Sequence, residues 1–248
     1  MALPFPVPTS LAPGLVISRM TKEDTDAAAV VYHESFGSDP ANGYWWPEDL
    51  AALLSWCSER MRLKMDSPHV RIFKVNDVET GEMVAYARWD VPKNSTKFGE
   101  WAGGETGEGT TTAATADQVA PATANAGFSP SDFPEGANVE IASRFFSALG
   151  ESQKKHMTDD MLGLSLLCVS PRHFRRGIAT ALLAPMLHIA DSEGKKSYLE
   201  ATAAGKPVYE RLGFRVVDVL SFDWDELTHK RNGLYKNYVM IRDPVAQK

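Results

Sequence analysis

The chain has 248 residues, 44% hydrophobic and 23% charged, the balance of an ordinary globular protein with room for a substantial core. A formal net charge of −6 and a pI near 5.6 exclude the basic footprint of a general nucleic-acid binder. No apolar run reaches the length of a membrane span, and Cys57 and Cys168 stand too far apart for a disulfide framework or a metal spacing. The proline-rich lead, residues 1–13, has neither the basic flank nor the apolar run of a targeting peptide. These features predict an intracellular, cytoplasmic protein, with the nucleus left open. The expectation is no metal, no nucleic-acid partner and no membrane partner, in a monomer or homodimer.

Along the chain, Leu15–Met20 reads as a first strand. Thr21, with Asp24 three residues on, predicts the cap of a helix over Lys22–Phe36 that Gly37 stops. Ser38–Pro47 is a turn-rich loop carrying Tyr44, Trp45 and Trp46 in a row. Pro47 suits the first position of a second helix over Glu48–Met65, with Leu50, Leu53, Leu54, Cys57 and Met61 on its buried face. Arg71–Val75 and Met83–Trp89 alternate like the two strands of a hairpin. Residues 92–136 read as a flexible insertion. Its Gly/Ala/Thr-rich part from Gly99 to Gly127 has only Trp101 and Val119 as large apolar side chains, too few to offset its ordering entropy. A helix begins at Ile141, and either ends at Gly150 or resumes through Lys154, Lys155 and His156.

Leu164–Val169 is short and apolar, as a buried strand is, and Pro171 ends it. Arg175, Arg176 and Gly177 then lead into a helix that runs to Ser192, in which Pro185 predicts a kink or an early end. A strand, a basic glycine turn and a helix start form an anion site, because the first helical N–H groups lack partners and the helix dipole favours negative charge there. Gly177 lets a phosphate come close to the backbone. Lys195–Ala201 is a further strand, Gly205–Leu212 a short helix closed by Gly213, and Phe214–Phe222 and Leu234–Ile241 the last two strands. The order predicts an α/β or α+β fold with a mixed sheet.

Val169–Leu183, followed by Ala204–Phe214, resembles the GNAT superfamily of acetyl-CoA-dependent N-acetyltransferases. The resemblance implies a single domain over residues 1–248, with a mostly antiparallel central sheet, splayed parallel strands and helices on both faces. It implies that acetyl-CoA is the cofactor, with pantetheine between Leu166–Val169 and Tyr198–Ala201 and bonded to the backbone of Leu167 and Val169, on either side of Cys168. Pyrophosphate would be received by backbone N–H groups of Arg175, Arg176, Gly177, Ile178, Ala179 and Thr180. Phe174 stands where the family has Gln or Arg, so the lost phosphate contact falls to Arg172 or Arg175. Thr202 stands where many members have Asn, and its hydroxyl can bond a pantetheine carbonyl.

The same resemblance makes Tyr209 the general acid. Glu200, at the end of a core strand, is the candidate base, with Glu140 and His156 as lesser candidates. It places Phe36, Tyr44, Trp45 and Trp46 at the acceptor pocket, where they would suit an aromatic or cationic amine, although the same rings would serve equally as core packing. The implied activity is acetyl transfer to the primary amine of a small molecule by direct attack in a ternary complex. The alternatives are a protein or peptide lysine or N-terminal acetyltransferase, and a non-catalytic acyl-CoA sensor.

Overall fold

Strands that alternate between two kinds of neighbour need a layer on each face, and this chain supplies both. The computed structural model describes residues 3–39, 42–99, 129–224 and 234–246. In chain order the elements are β1 (Leu15–Arg19), α1 (Thr25–Phe36), α2 (Asn42–Trp45), α3 (Leu50–Lys64), β2 (Val70–Asp77), β3 (Met83–Asp90) and α4 (Val139–His156). They continue with β4 (Leu162–Val169), α5 (Ile178–Ser192), β5 (Ser197–Thr202), α6 (Lys206–Arg211), β6 (Arg215–Asp223) and β7 (Leu234–Arg242). Seven strands form one sheet in the order β1-β2-β3-β4-β5-β7-β6. Every neighbouring pair is antiparallel except β4 and β5. This is the mixed sheet that the element order implied, mostly antiparallel as the resemblance implied.

Period-two alternation sorts the side chains. On one face Ala85, Ala87 and Trp89 of β3, with Leu199 and Ala201 of β5, pack against Ile178, Leu182, Met186 and Leu187 of α5. On the other, Tyr86 of β3, Ile72 of β2 and Cys168 of β4 pack against Ala28 and Val31 of α1 and Met61 of α3. A third cluster joins Trp45, Phe133, Trp224 and the start of α4.

The structure corrects several local expectations. The Thr21 N–H does donate to the Asp24 carboxylate at 2.8 Å, but a turn of 3-10 helix at Lys22–Asp24 precedes α1. Asp49, not Pro47, starts the next helix, its Oδ1 accepting the Ala51 N–H at 2.9 Å. Of the two readings of α4, the helix that reaches His156 is correct, and it passes Gly150 without interruption. Helix α5 continues past Pro185 to Ser192. A proline there costs about 3 kcal/mol. Burial of Leu182, Leu183, Met186 and Leu187 outweighs it at about 1.5–3 kcal/mol for each large side chain.

The edges of the expected insertion are also packed, which moves its boundaries inward. Phe98 is fully buried in the main core, and Phe133 is buried 6.5 Å from Trp45 between ring centroids. Residues 100–128, with Trp101 and Val119, lie outside the described residues. The lead is anchored too, with the Phe5 ring 5.0 Å from that of Phe73.

The C-terminal strand is locked to α5 by a two-pronged ion pair. Nη1 and Nη2 of Arg242 donate to the two carboxylate oxygens of Asp191 at 2.6 and 2.8 Å, and Nε donates to the Leu212 carbonyl at 2.8 Å. Burial pulls the Asp191 carboxyl upward, but bonds from Arg242 and from the Val245 N–H outweigh it and hold the group below the usual range. Because the folded pKa is depressed, this stabilisation is present above the unfolded pKa and is lost as pH falls through the folded value. Asp191→Ala leaves a buried guanidinium without its counterion and is expected to cost about 3 kcal/mol in chemical denaturation at pH 7. The difference from wild type should shrink in the same measurement as the pH is lowered.

Candidate active site

The central feature is a fork between β4 and β5. The two strands pair through Leu162, Gly163 and Leu164 against Ser197, Tyr198 and Leu199, and the pairing then stops. At that point the register between β3 and β4 jumps from Arg88↔Leu166 to Trp89↔Leu164, which leaves Ser165 as an extra residue on β4. A bulge bends its strand. Here it turns β4 away from β5, while β5 stays paired with β7 through Thr202. The Ser165 hydroxyl donates to the Asp90 carboxylate and fixes the bulge to the neighbouring strand. From Ser165 to Val169 the edge of β4 that faces β5 has no strand partner.

Two cavities open on the fork from opposite sides. One, of about 820 Å³, runs from the fork to the turn before α5 and is lined by Leu167, Val169, Phe174, Arg175, Gly177–Thr180, Thr202 and Tyr209. The other, of about 530 Å³, lies among α1, α3, α4 and the sheet. They share Phe36, Asp39, Leu164, Ser165, Leu166, Glu200, Thr202 and Tyr235. A molecule in one can therefore meet a molecule in the other at the end of β5.

The turn before α5 is built on two left-handed residues. Arg175 has φ +64° and is the only non-glycine at positive φ among the described residues. Such a conformation needs its surroundings to hold it. Gly177 has φ +75°, and a Cβ there would lie 2.0 Å from the Ser10 carbonyl oxygen. The Ala12 N–H donates to the Arg176 carbonyl at 3.3 Å. Gly177 is thus required by the close approach of the chain's own lead as well as by its place on the cavity wall. The lead braces the turn from behind.

Glu200 is placed by strand alternation on the face opposite Leu199 and Ala201. It accepts a hydrogen bond from the Tyr198 hydroxyl at 2.5 Å, and that hydroxyl also lies 3.1 Å from Ser152 Oγ. Burial raises the Glu200 pKa to about 7, with the Asp90 charge adding to the rise and the Tyr198 bond opposing it. Tyr209 is buried and lines the larger cavity, its ring edge-on to Phe214. Burial, and then the nearby Cys168, push its phenol upward, so it keeps its proton across the neutral range.

The remaining expected residues divide. Leu167, Val169, Arg175, Gly177, Ile178, Ala179 and Thr180 lie on the larger cavity's wall, and Thr202 lies on both walls, its hydroxyl oxygen accepting the Gly205 N–H at 3.1 Å. The Val169 carbonyl also accepts from the Ser35 hydroxyl at 2.9 Å. The Cys168 side chain faces the other way, fully buried, and burial pushes its thiol to about 12. Arg172 lies off the wall with its guanidinium 3.1 Å from Glu34, and Arg176 turns back to Asp77 at 3.3 Å. Of the two residues named to replace the phosphate contact missing at Phe174, Arg175 alone lies on the wall. Phe36 and Trp45 line the smaller cavity, whereas Tyr44 rests against Trp224 and Trp46 against Tyr32 and His33.

The lesser base candidates are engaged elsewhere, Glu140 with Arg144 at 3.3 Å and His156 with Asp218 at 2.9 Å. Sequence reasoning missed Asp39, Arg60, Arg88, Asp90, Ser165 and Tyr235, all on the smaller cavity's wall. Arg88 and Asp90 did carry a signal, since they are charges at alternate positions of a strand whose other face is core.

A forked parallel pair, a glycine turn at a helix start and a carboxyl of raised pKa meet in one cleft. Residues 143–228 match the family model for the acetyltransferase (GNAT) domain. No curated protein matches the sequence at a significant level. Among solved structures, a Corynebacterium glutamicum protein described as histone acetyltransferase HPA2 and related acetyltransferase superposes with a TM-score of 0.54 at 20% identity, over 95% of this chain and 99% of that one. At that identity the likeness speaks for the fold. The Thermoplasma acidophilum PaiA N-acetyltransferase in complex with coenzyme A aligns at a TM-score of 0.48 and 11% identity, over 92% of this chain and 98% of that one. Residues 143–228 are thus similar to a GNAT acetyltransferase domain, within a fold shared with the Corynebacterium protein.

Gly177→Ala should expose the role of the lead. In the full chain it is expected to cost about 2 kcal/mol or more, because the methyl group meets the Ser10 carbonyl and the backbone is left-handed. In a chain lacking residues 1–13 only the backbone cost of about 1 kcal/mol should remain. Paired denaturation curves of the four proteins measure the difference.

Proposed function

We propose that residues 1–248 act as one N-acetyltransferase domain that moves the acetyl group of acetyl-CoA to the primary amine of a small molecule, by direct attack with both substrates bound. The observation that carries this reading is the meeting of the two cavities at Glu200 and Thr202. Acetyl-CoA supplies a thioester carbonyl for the amine to attack. The chain fits that donor in its own features. The unpartnered edge of β4 offers backbone donors and acceptors to an amide-bearing arm, and the start of α5 offers free N–H groups to a phosphate.

Glu200 takes the proton that the attacking nitrogen loses. A carboxyl with a pKa of about 7 is well matched to that task, being ionised for half of the molecules at neutral pH and basic enough to hold the proton. The Tyr198 hydroxyl fixes its orientation. The Tyr209 phenol gives a proton to the departing sulfur. The Thr202 hydroxyl, with its oxygen already accepting from Gly205, is left to donate toward the pantetheine arm. A small acceptor is favoured because the smaller cavity is of small-molecule size and walled by buried aromatic side chains.

Two substitutions test the assignment through kcat/KM against pH. The wild-type profile should rise with an apparent pKa near 7, since Glu200 acts only when deprotonated. Glu200→Gln should lose that limb and about 10²–10⁴-fold in rate. Tyr209→Phe should lower kcat by about 10- to 100-fold with the acid limb intact, since it removes only the proton donor. An unchanged limb in Glu200→Gln would assign the base elsewhere.

A further inference from the structure

Four cationic side chains, Arg60, Lys64, Arg88 and Lys93, line the smaller cavity, and acetyl transfer does not use the two arginines. Arg60, from α3, spreads over the Trp56 ring at 4.6 Å and donates from Nη1 to the Asp132 carbonyl at 3.3 Å. Arg88, from β3, lines the same cavity with its Nε buried and without a hydrogen-bond partner. Among the described residues neither guanidinium has a carboxylate within ion-pair distance. Burial lowers the Arg60 pKa, and the Arg88 charge beside it lowers it further. Two partly desolvated guanidiniums side by side are unfavourable by themselves and become favourable around an anion.

The position of the pair suits one end of the acceptor. Arg88 pairs with Leu166 on β4, and the next strand beyond the fork is β5 with Glu200. Two inter-strand spacings, roughly 10 Å before the fork widens them, separate their backbones. Both residues line the same cavity of about 530 Å³, which can take a short molecule with an amine and an anion. The walls between are apolar and aromatic, with Phe36, Trp45, Trp56, Phe145, Phe146 and Tyr235.

We infer that the acceptor is an amino acid with an apolar or aromatic side chain, its carboxylate held by Arg88 and Arg60 and its amine presented to Glu200. This rests on the acetyltransferase reading above. The reaction forms the amide C–N bond and breaks the thioester C–S bond. The amine proton passes to Glu200 and the sulfur receives one from Tyr209, so the products are an N-acetyl amino acid and coenzyme A.

The test compares three matched pairs as acceptors: L-phenylalanine with phenethylamine, L-tryptophan with tryptamine, and L-leucine with isoamylamine. In at least one pair the amino acid should be favoured about 10- to 100-fold in kcat/KM, the worth of a charge-assisted hydrogen-bonded contact. Arg88→Gln should collapse that ratio to within about 3-fold of unity, with Arg88→Lys restoring part of it. Glu200→Gln should lower both members of a pair alike. Independently of turnover, calorimetry should show 3-phenylpropionate binding to the wild type and to Glu200→Gln but not to Arg88→Gln, while all three proteins bind coenzyme A. Acetylation of the amines as good as that of the amino acids, or 3-phenylpropionate binding untouched by Arg88→Gln, overturns the carboxylate site and leaves the transferase reading standing. Binding of 3-phenylpropionate through Arg88 with no acetylation of any acceptor supports the site and overturns the transfer.

Discussion

One extra residue in β4 sets the geometry of the centre. Ser165 has no counterpart on β3, and β4 leaves β5 at the same point. An unbroken parallel pair would have satisfied its own backbone and closed the sheet. The bulge instead gives up several ladder hydrogen bonds, and the open edge and the wedge of space between the strands are the result. The loss is tolerated because β4 remains paired with β3 on either side of the bulge, and β5 stays paired with β7. The Ser165–Asp90 hydrogen bond ties the bulge to the strand that carries Arg88, so cofactor side and acceptor side are referred to the same backbone.

Around the fork the same economy recurs. Strand β5 sends Leu199 and Ala201 into the main core and turns Tyr198, Glu200 and Thr202 toward the cavities. Strand β3 sends Ala85, Ala87 and Trp89 to the core and turns Tyr86, Arg88 and Asp90 to the acceptor side. Rigidity comes from the buried faces, and chemistry from residues one position away. This is why the site sits on strands, whose pleat fixes side-chain direction more firmly than a loop would.

The strand alternation, the glycine turn and the short helix after β5 were all legible in the sequence, because each is a local signal with a local cause. Tyr209 was reachable as a candidate through the resemblance, and Glu200 through its place at the end of a core strand. The bulge was not, since it is a mismatch between two strands far apart in the chain and leaves no mark on either alone. The uninterrupted α5 was missed for a similar reason. Pro185 is a local penalty, and the apolar face that outweighs it is satisfied only by tertiary contacts. The brace of Ser10 against Gly177 joins residues at opposite ends of a long interval, and a proline-rich lead gives no hint of its landing place. Arg60 and Arg88 read as ordinary surface charges until α3 is folded over the sheet.

The placement of charge along the smaller cavity suits the base role proposed for Glu200. A guanidinium beside Glu200 would hold its carboxyl well below neutrality and leave it too weak to take a proton from an amine. The charge felt by Glu200 is instead that of Asp90, which with burial keeps the group near 7. Arg88 lies one pleat further along β3 and acts on Arg60 and on the Tyr86 and Cys168 side chains rather than on Glu200. Placing the arginines on α3 and β3 and the carboxylate on β5 keeps the proposed anion end and proton-accepting end of the cavity on different elements.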